Sequence, residues 1–308
     1  MAEHAPAGPL IVACSGGADS VALALAVRAV APGRPVIGAT VDHGLQDGSA
    51  ARAEHTADLL RGIGCGPVER VTVTVGRIGG PEAAARQARY AALGELSAAW
   101  AHAPVLLGHT RDDQAETVLL GLARGSGPRS IAGMRPWRPP WGRPLLGVTR
   151  SDTEATCAEA GLPPWRDPHN ADPAFTRVRL RTEVMPLLED VLGGGVRDAL
   201  ARTSDLMSDD LDALDRLAEA ALDGARAGDT LVAPALADLP AAVRRRVLRR
   251  WLAGMGARSL THDHLARLDA QLADRHGPAQ VRLPGGLDVW RRGDLLTVEA
   301  PRRPDHDP

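Results

Sequence analysis

The chain has 308 residues, 44% of them hydrophobic and 24% charged, with a formal net charge of −2, and its length favours two domains, each able to bury a sizeable core. It has no apolar run near the roughly 20 residues of a membrane span, no basic segment at its start of the kind that opens a secretion signal, and no C-x-x-C pair among Cys14, Cys65 and Cys157; a cytoplasmic chain with reduced thiols is expected. The near-neutral total means that a nucleic acid would have to be met by a local arginine cluster, and the complete absence of lysine excludes Walker A, Schiff-base and lysyl-adenylate chemistry.

In chain order, Leu10–Cys14, Val36–Val41, Val68–Val75 and Val105–Gly108 are short apolar runs that read as strands. They alternate with helices beginning near Ser20, Ser49, Pro81 and Asp112. This βαβ rhythm predicts a parallel sheet covered by helices, with ligands gathered beyond the carboxyl ends of its strands. Residues 127–144 (GPRSIAGMRPWRPPWGRP) are too irregular for a helix and too long for a simple connector, and read as a functional loop. Helical periodicity then covers Val196–Leu222 and Ala241–Leu252, ahead of strands Leu287–Arg291 and Leu295–Glu299. A boundary near Gly193–Gly195 is expected, giving an α/β domain over 1–193, a smaller, mainly helical domain over 194–308, and a disordered tail at Arg302–Pro308.

The first strand runs into Ser15-Gly16-Gly17-Ala18-Asp19-Ser20 and then into a helix. The two glycines let the backbone approach an anion closely, while successive N–H groups and the helix N-terminus supply a positive field. A pyrophosphate fits such a cradle. Ser15 and Ser20 add hydroxyl donors, and Asp19 can hold Mg2+, which would neutralise phosphates that have no lysine to meet them. A plain helix start, with Asp19 or Ser20 as the N-cap, accounts for less of the string. The string resembles the S-G-G-x-D-S signature of the PP-loop ATP pyrophosphatases, whose fold is that of the adenine nucleotide alpha hydrolases. That family cleaves ATP between its α- and β-phosphates and adenylates a carbonyl-type oxygen. The resemblance implies ATP bound over Ser15, Gly16, Gly17, Ala18, Asp19 and Ser20.

Further strings choose among members of that family. Val41-Asp42-His43-Gly44-Leu45-Gln46 is similar to the V-D-H-G-L-R of tRNA(Ile)-lysidine synthetases, with Gln46 where arginine is usual, and His43 is placed to contact adenosine. Glu82 to Tyr90 resembles E-x-x-A-R-x-x-R-Y, which puts Arg86 and Arg89 on one helical face toward nucleotide and substrate. Gly108-His109-Thr110-Arg111-Asp112-Asp113-Gln114-Ala115-Glu116-Thr117, followed by Arg124 to Gly127, matches G-H-T-x-D-D-Q-x-E-T and R-G-S-G almost residue for residue. Asp113 and Glu116 share the face of a helix that starts at a strand end, so two carboxylates converge on the crevice and suit a cation, which the resemblance implies is the substrate lysine or Mg2+. Asp112 is explained as a first-turn acid complementing the helix dipole. Gly133-Met134, Arg143 to Leu146 and Asp167 to Arg181 carry the resemblance to about residue 190, with His169 and Val178 departing from the usual residues.

The resemblance implies an enzyme that uses ATP and Mg2+ to join free L-lysine to the wobble cytidine of the CAU anticodon of tRNA(Ile). Asp19, Arg86, Arg89, His109 and Asp113 would be catalytic, Gly108 and His43 would border ATP, and Asp113 with Glu116 would hold lysine. Arg177 and Arg181 would contact tRNA. So would Arg244, Arg245 and Arg249, from a five-arginine run (Arg244–Arg250) that otherwise reads as a solvated helix face. No protein partner is evident, and a homodimer is left open. Thiolation on the same ATP site is the competing reaction and would need a sulfur carrier, a persulfide cysteine or a C-x-x-C cluster; a nucleotide-binding regulator without turnover is the non-enzymatic alternative. His262-Asp263-His264 reads as a helix start rather than a zinc site.

Overall fold

The computed structural model describes residues 6–44, 48–76, 80–125, 127–165, 167–273 and 280–299. The extreme N-terminus, Gln46, Ser126 and the tail from Arg302 lie outside them, as do the side chains of Glu82, His169 and Asn170.

Strands β1 (Leu10–Ala13), β2 (Val36–Asp42), β3 (Val68–Thr72) and β4 (Val105–Leu107) alternate with helices α1 (Ala18–Val30), α2 (Ser49–Gly62) and α3 (Pro81–Ala99). All four strands are parallel, in the order β3-β2-β1-β4. The chain steps outward from β1 to β3 and returns on the other side of β1. The order therefore reverses between β1 and β4, and a crevice opens beyond their carboxyl ends. Leu10 and Val12 pack under Val21, Leu23 and Val27 of α1 and Leu60 of α2, while Ile11 faces Ile37, Leu93 and Val105 on the other side of the sheet. Burial on both faces is why these strands read as continuous apolar runs rather than alternating ones.

Helix α4 (Arg111–Arg124) follows β4. The segment expected to be an irregular loop then forms α5 (Pro128–Ile131) and a hairpin of β5 (Trp137–Arg138) and β6 (Trp141–Gly142). Strand β6 runs parallel to β4 and extends the sheet to six strands, β3-β2-β1-β4-β6-β5. Two-residue strands carry no periodicity, so composition alone could not reveal them. Helix α6 (Arg150–Glu159) packs on α1. It is followed by α7 (Thr176–Arg179), a π-helical turn over Leu180–Val184, and α8 (Met185–Val191).

The thirty-residue α9 (Val196–Ala225) contains the division between two compact units, which falls after Ser208. The glycines at 193–195, expected to mark that division, instead turn the chain with positive φ from α8 into α9. The first turns of α9 belong to the first unit because Val196 and Leu200 pack with Ala115, Leu119 and Met185. In the second unit, α10 (Pro234–Ala237), α11 (Ala241–Gly254) and α12 (His262–Ala273) surround a core that includes Leu231, Leu248, Trp251, Leu268 and Val289. The unit is mainly helical, as expected, and adds an antiparallel sheet. To the expected hairpin, β10 (Asp288–Arg292) with β11 (Leu295–Glu299), it joins β7 (Arg226–Ala227), β8 (Thr230–Val232) and β9 (Gln280–Arg282) in the order β7-β8-β11-β10-β9.

Candidate active site

The string Ser15–Ser20 turns tightly between β1 and α1. Ser20 Oγ donates to the Gly17 carbonyl at 2.9 Å and accepts from Ser15 N–H at 3.1 Å. Gly16 has φ of +84°, and a Cβ there would come within 2.9 Å of Thr56 Oγ1, so only glycine fits. Trp165 N–H donates to the Gly16 carbonyl at 2.8 Å, tying the loop to the segment after α6, and the Arg52 guanidinium lies over the Trp165 ring. Ser15 to Ser20 border a cavity of about 1500 Å³ beyond the strand ends.

Helix α4 starts at the neighbouring strand end with a capping box. Asp113 Oδ2 accepts from Thr110 N–H at 2.9 Å, which leaves Oδ1 to face the cavity side. There Asp113 Oδ1 meets the Arg150 guanidinium at 3.1 Å, and the same guanidinium reaches Asp19 Oδ2 at 3.3 Å. Thr153 Oγ donates to Asp19 Oδ1 at 2.5 Å. Burial raises the Asp19 carboxyl above the usual carboxylate range against the opposing pull of Thr153 and Arg150. Asp113 is also desolvated, yet Arg150, the Thr110 N–H, His109 and Arg181 together hold it below that range. Glu116 is 2% exposed. Arg181 Nε donates to its Oε1 at 2.8 Å, Arg177 stands 3.7 Å from Oε2, and Oε2 itself has no hydrogen-bond partner. Burial raises the Glu116 carboxyl. Asp112, expected only to complement the helix dipole, also accepts the Arg150 N–H at 2.9 Å and pairs with Arg197 at 3.3 Å.

His109 is pushed down to about 3 by burial, with Arg143, Arg89 and Arg86 nearby reinforcing the shift against the pull of Asp113. It is therefore neutral at pH 7, and its Nδ1 has no partner. His43 is likewise lowered by burial and by Arg89. Arg89 is half-buried at the cavity, its Nε has no hydrogen-bond partner among the described residues, and desolvation together with Arg86 disfavours its charge. A desolvated guanidinium beside another cation is stabilised by an anion entering from the cavity. Arg86 hydrogen-bonds Tyr90 Oη at 3.2 Å, and Tyr90 stacks edge-on against Trp141 of β6.

Of the residues expected from sequence, Ser15 to Ser20, His43, Arg89, Gly108, His109, Asp113 and Arg181 border this cavity. Arg86, Glu116 and Arg177 do not; Glu116 lies behind Arg181, to which it is bonded. Arg244, Arg245 and Arg249 belong to the second unit. Arg244 is largely committed internally: it pairs with buried Asp269 and donates to the Leu239 carbonyl at 2.7 Å. Arg245 shares Asp269 at 2.8 Å, and Arg249 donates to the Leu260 carbonyl at 3.1 Å. Arg150 and Thr153 were missed. The legible signal was Thr149 with Asp152, a second capping box that fixes the start of α6 and so the direction of both side chains. All three cysteines are buried. Burial raises the Cys14 and Cys157 thiols and pushes Cys65 up to about 11. His262 and His264 sit at the start of α12, where the Thr261 and His264 side chains bond each other at 2.9 Å.

Comparison with known proteins agrees with this geometry. Residues 1–188 match the PP-loop domain family and residues 231–297 match the TilS substrate binding domain. The chain is 53% identical to a tRNA(Ile)-lysidine synthase of Salinispora arenicola, covering 97% of this chain and 92% of that one. It is 55% identical to the enzyme of the same name from Nocardia farcinica, covering 99% and 96%. The chain belongs to the tRNA(Ile)-lysidine synthase family. Its fold is also similar to that of the U34-tRNA thiolase NcsA from Methanococcus maripaludis, with a TM-score of 0.56 at 16% identity over 66% of this chain and 73% of that one. The lysidine synthase relatives match along their own length as well, so both units of the chain have counterparts in the family. Among the described residues no helix is long and apolar enough to cross a membrane.

Proposed function

We propose that this enzyme joins the ε-amine of free L-lysine to C2 of the wobble cytidine in the CAU anticodon of tRNA(Ile), with ATP as the source of activation and the cytoplasm as its location. The observation that carries the reading is that one cavity is bordered both by the Ser15–Ser20 cradle and by Asp113 of α4. The cradle is suited to phosphates and the carboxylate to a cation, so activation and amine delivery have room side by side. In the reaction the O2 of the cytidine attacks the α-phosphorus of ATP and pyrophosphate leaves. The lysine amine then attacks C2 and AMP leaves.

The residues divide the work by charge. Backbone N–H groups of the loop and the N-terminus of α1 receive the phosphates. Arg89, whose Nε has no hydrogen-bond partner among the described residues, meets charge developing at the reacting phosphate. His109, held neutral by burial, contributes a hydrogen bond rather than a charge. Asp19 suits a divalent ion, because its Oδ2 already faces a cation, the Arg150 guanidinium. Mg2+ held there would neutralise the phosphate oxygens. Asp113 and Glu116 would bind the lysine ammonium, with Arg181 and Arg177 giving up part of their hold on Glu116 as RNA phosphates approach. In the second unit Arg245 and Arg249 would contact tRNA phosphates, and Arg244 would add to that field while positioning Asp269.

Thiolation is disfavoured by the chemistry of the cysteines. Cys14 and Cys157 border the cavity, yet their Sγ atoms engage Ser20 Oγ and the Ala18 carbonyl, and burial keeps both protonated. The deciding experiment is incubation with ATP, labelled lysine and unmodified tRNA(Ile). Stable, ATP-dependent transfer of label to RNA is expected, and AMP formation without transfer would reject the assignment.

A further inference from the structure

Arg150 belongs to no string that pointed to function, yet it occupies the centre of the charged crevice. It is the first residue of α6. Its Nε lies 3.3 Å from Asp19 Oδ2 and its other arm 3.1 Å from Asp113 Oδ1, while its N–H is fixed by Asp112 Oδ2 at 2.9 Å. One turn further on, Thr153 holds the second oxygen of Asp19. The first turn of α6 therefore grips the aspartate of the phosphate loop through both carboxylate oxygens.

We propose that Arg150 is a catalytic residue whose guanidinium receives the pyrophosphate half of ATP, an assignment that rests on the reading of the site as ATP-consuming. Three observations carry it. First, the chain has no lysine, so a fixed positive charge at the phosphate loop has to come from arginine. Second, among the described residues four arginines border the cavity, Arg52, Arg89, Arg150 and Arg181, and they differ in what they face. Arg52 lies over Trp165, Arg89 lies beside Tyr90, and Arg181 is bonded to Glu116. Arg150 is the one joined to the loop's own aspartate. Third, two carboxylates keep its side chain in place, so little ordering remains to be done when a phosphate replaces one of them.

In the step concerned, the bond from cytidine O2 to the α-phosphorus forms as the bond from the α-phosphorus to the bridging oxygen breaks. The electron pair leaves with that oxygen onto pyrophosphate. Arg150 stabilises the leaving anion through charged hydrogen bonds and transfers no proton, since a guanidinium keeps its protons.

The test compares wild type, Arg150→Ala and Arg150→Lys for inhibition of lysine transfer by magnesium pyrophosphate and by AMP, with calorimetric binding of both probes in the absence of tRNA and lysine. The alanine variant should bind pyrophosphate about tenfold or more weakly, on the scale of a lost charged hydrogen bond. AMP affinity and the KM for lysine should stay within about twofold, kcat should fall, and the lysine variant should recover much of the pyrophosphate affinity as a point charge. Parallel loss of AMP and pyrophosphate would reduce Arg150 to a support for Asp19. A rise in KM for lysine with pyrophosphate unchanged would move it to the amine site, and either result overturns the proposal. If the alanine variant fails to fold, Arg150→Gln reads the same comparison. Because calorimetry needs neither tRNA nor lysine, an Arg150-dependent pyrophosphate site in a protein that made no lysidine would reject the functional reading alone.

Discussion

Gln114 and Asp113 are adjacent on α4, the first buried and the second half-buried at the cavity, and their surroundings differ in kind. Gln114 donates to the Met134 carbonyl at 3.0 Å and to Ser204 Oγ at 2.8 Å, and accepts from Met134 N–H at 2.8 Å. Ser204 in turn donates to the Ala132 carbonyl. Gly133 sits so tightly in this knot that a Cβ would come within 2.7 Å of both Gln114 and Ser204. Asp113 Oδ1 and Glu116, on the neighbouring face, are met by long arginine side chains, and Glu116 Oε2 has no hydrogen-bond partner among the described residues. Backbone partners cannot be exchanged for a ligand, whereas arginines can. Satisfied neutral polarity marks the face that holds the fold together, and displaceable charge marks the face that binds.

Substitution on the knot should produce the largest effect. Gln114→Ala leaves two backbone groups and a serine hydroxyl in need of partners, and is expected to cost roughly 2–4 kcal/mol in urea unfolding, with KM for lysine unchanged in whatever protein remains folded. Unaltered stability would remove the distinction between the two faces. Glu116→Gln tests the opposite face. It should raise the lysine requirement by about ten- to a hundredfold, at roughly 1.4 kcal/mol per tenfold, and spare lysine-independent pyrophosphate exchange on tRNA. Equal loss of both activities would make Glu116 structural. Its stability should change little or improve, since a desolvated carboxylate is being neutralised.

The same contrast can be sharpened in the second unit. Arg244→Gln exposes Asp269 to a lost partner and should cost about 1–2 kcal/mol of stability, whereas Arg249→Gln should leave stability alone and lower the salt slope of tRNA binding by about one. A reversed pattern would make Arg244 the phosphate contact.

A further prediction concerns pH. His109 is neutral when folded and protonates near 6.5 when unfolded, so the unfolded chain binds the extra proton first and stability drains away as pH falls below that value toward about 3. His109→Gln should make the loss of stability between about pH 6 and 4 shallower, by up to roughly 1.4 kcal/mol per pH unit. Parallel curves for the two proteins would mean that the imidazole is solvated.

Much of this was legible along the chain. The four parallel strands β1 to β4 announced themselves through apolar runs, and the loop Ser15–Ser20 through glycines and hydroxyls that few other settings require. The hairpin of β5 and β6 escaped because two residues cannot show a period. Strands β7, β8 and β9, of two or three residues each, are likewise too short to stand out. Arg150 and Thr153 escaped because their meaning lies in α6 folding back on α1, which joins Thr153 to Asp19 across 134 positions. Glu116 was expected to reach the crevice beside Asp113, but no pattern on one helix could reveal that Arg181, from the π-turn, closes over it.

Gly108 adds a mechanical property to this arrangement. At the end of β4 its Cα lies so close to α1 that a Cβ would stand 2.8 Å from the Asp19 carbonyl oxygen and 3.0 Å from Ser20 Cα. No side chain acts as a spacer there, and the strand that launches the acid helix bears directly on the backbone of the phosphate loop. A displacement of either is carried to the other without the slack that rotating side chains would provide. The cradle for the nucleotide and the carboxylate for the amine thus behave as one stiff piece, and substrates must be brought to that piece rather than the reverse.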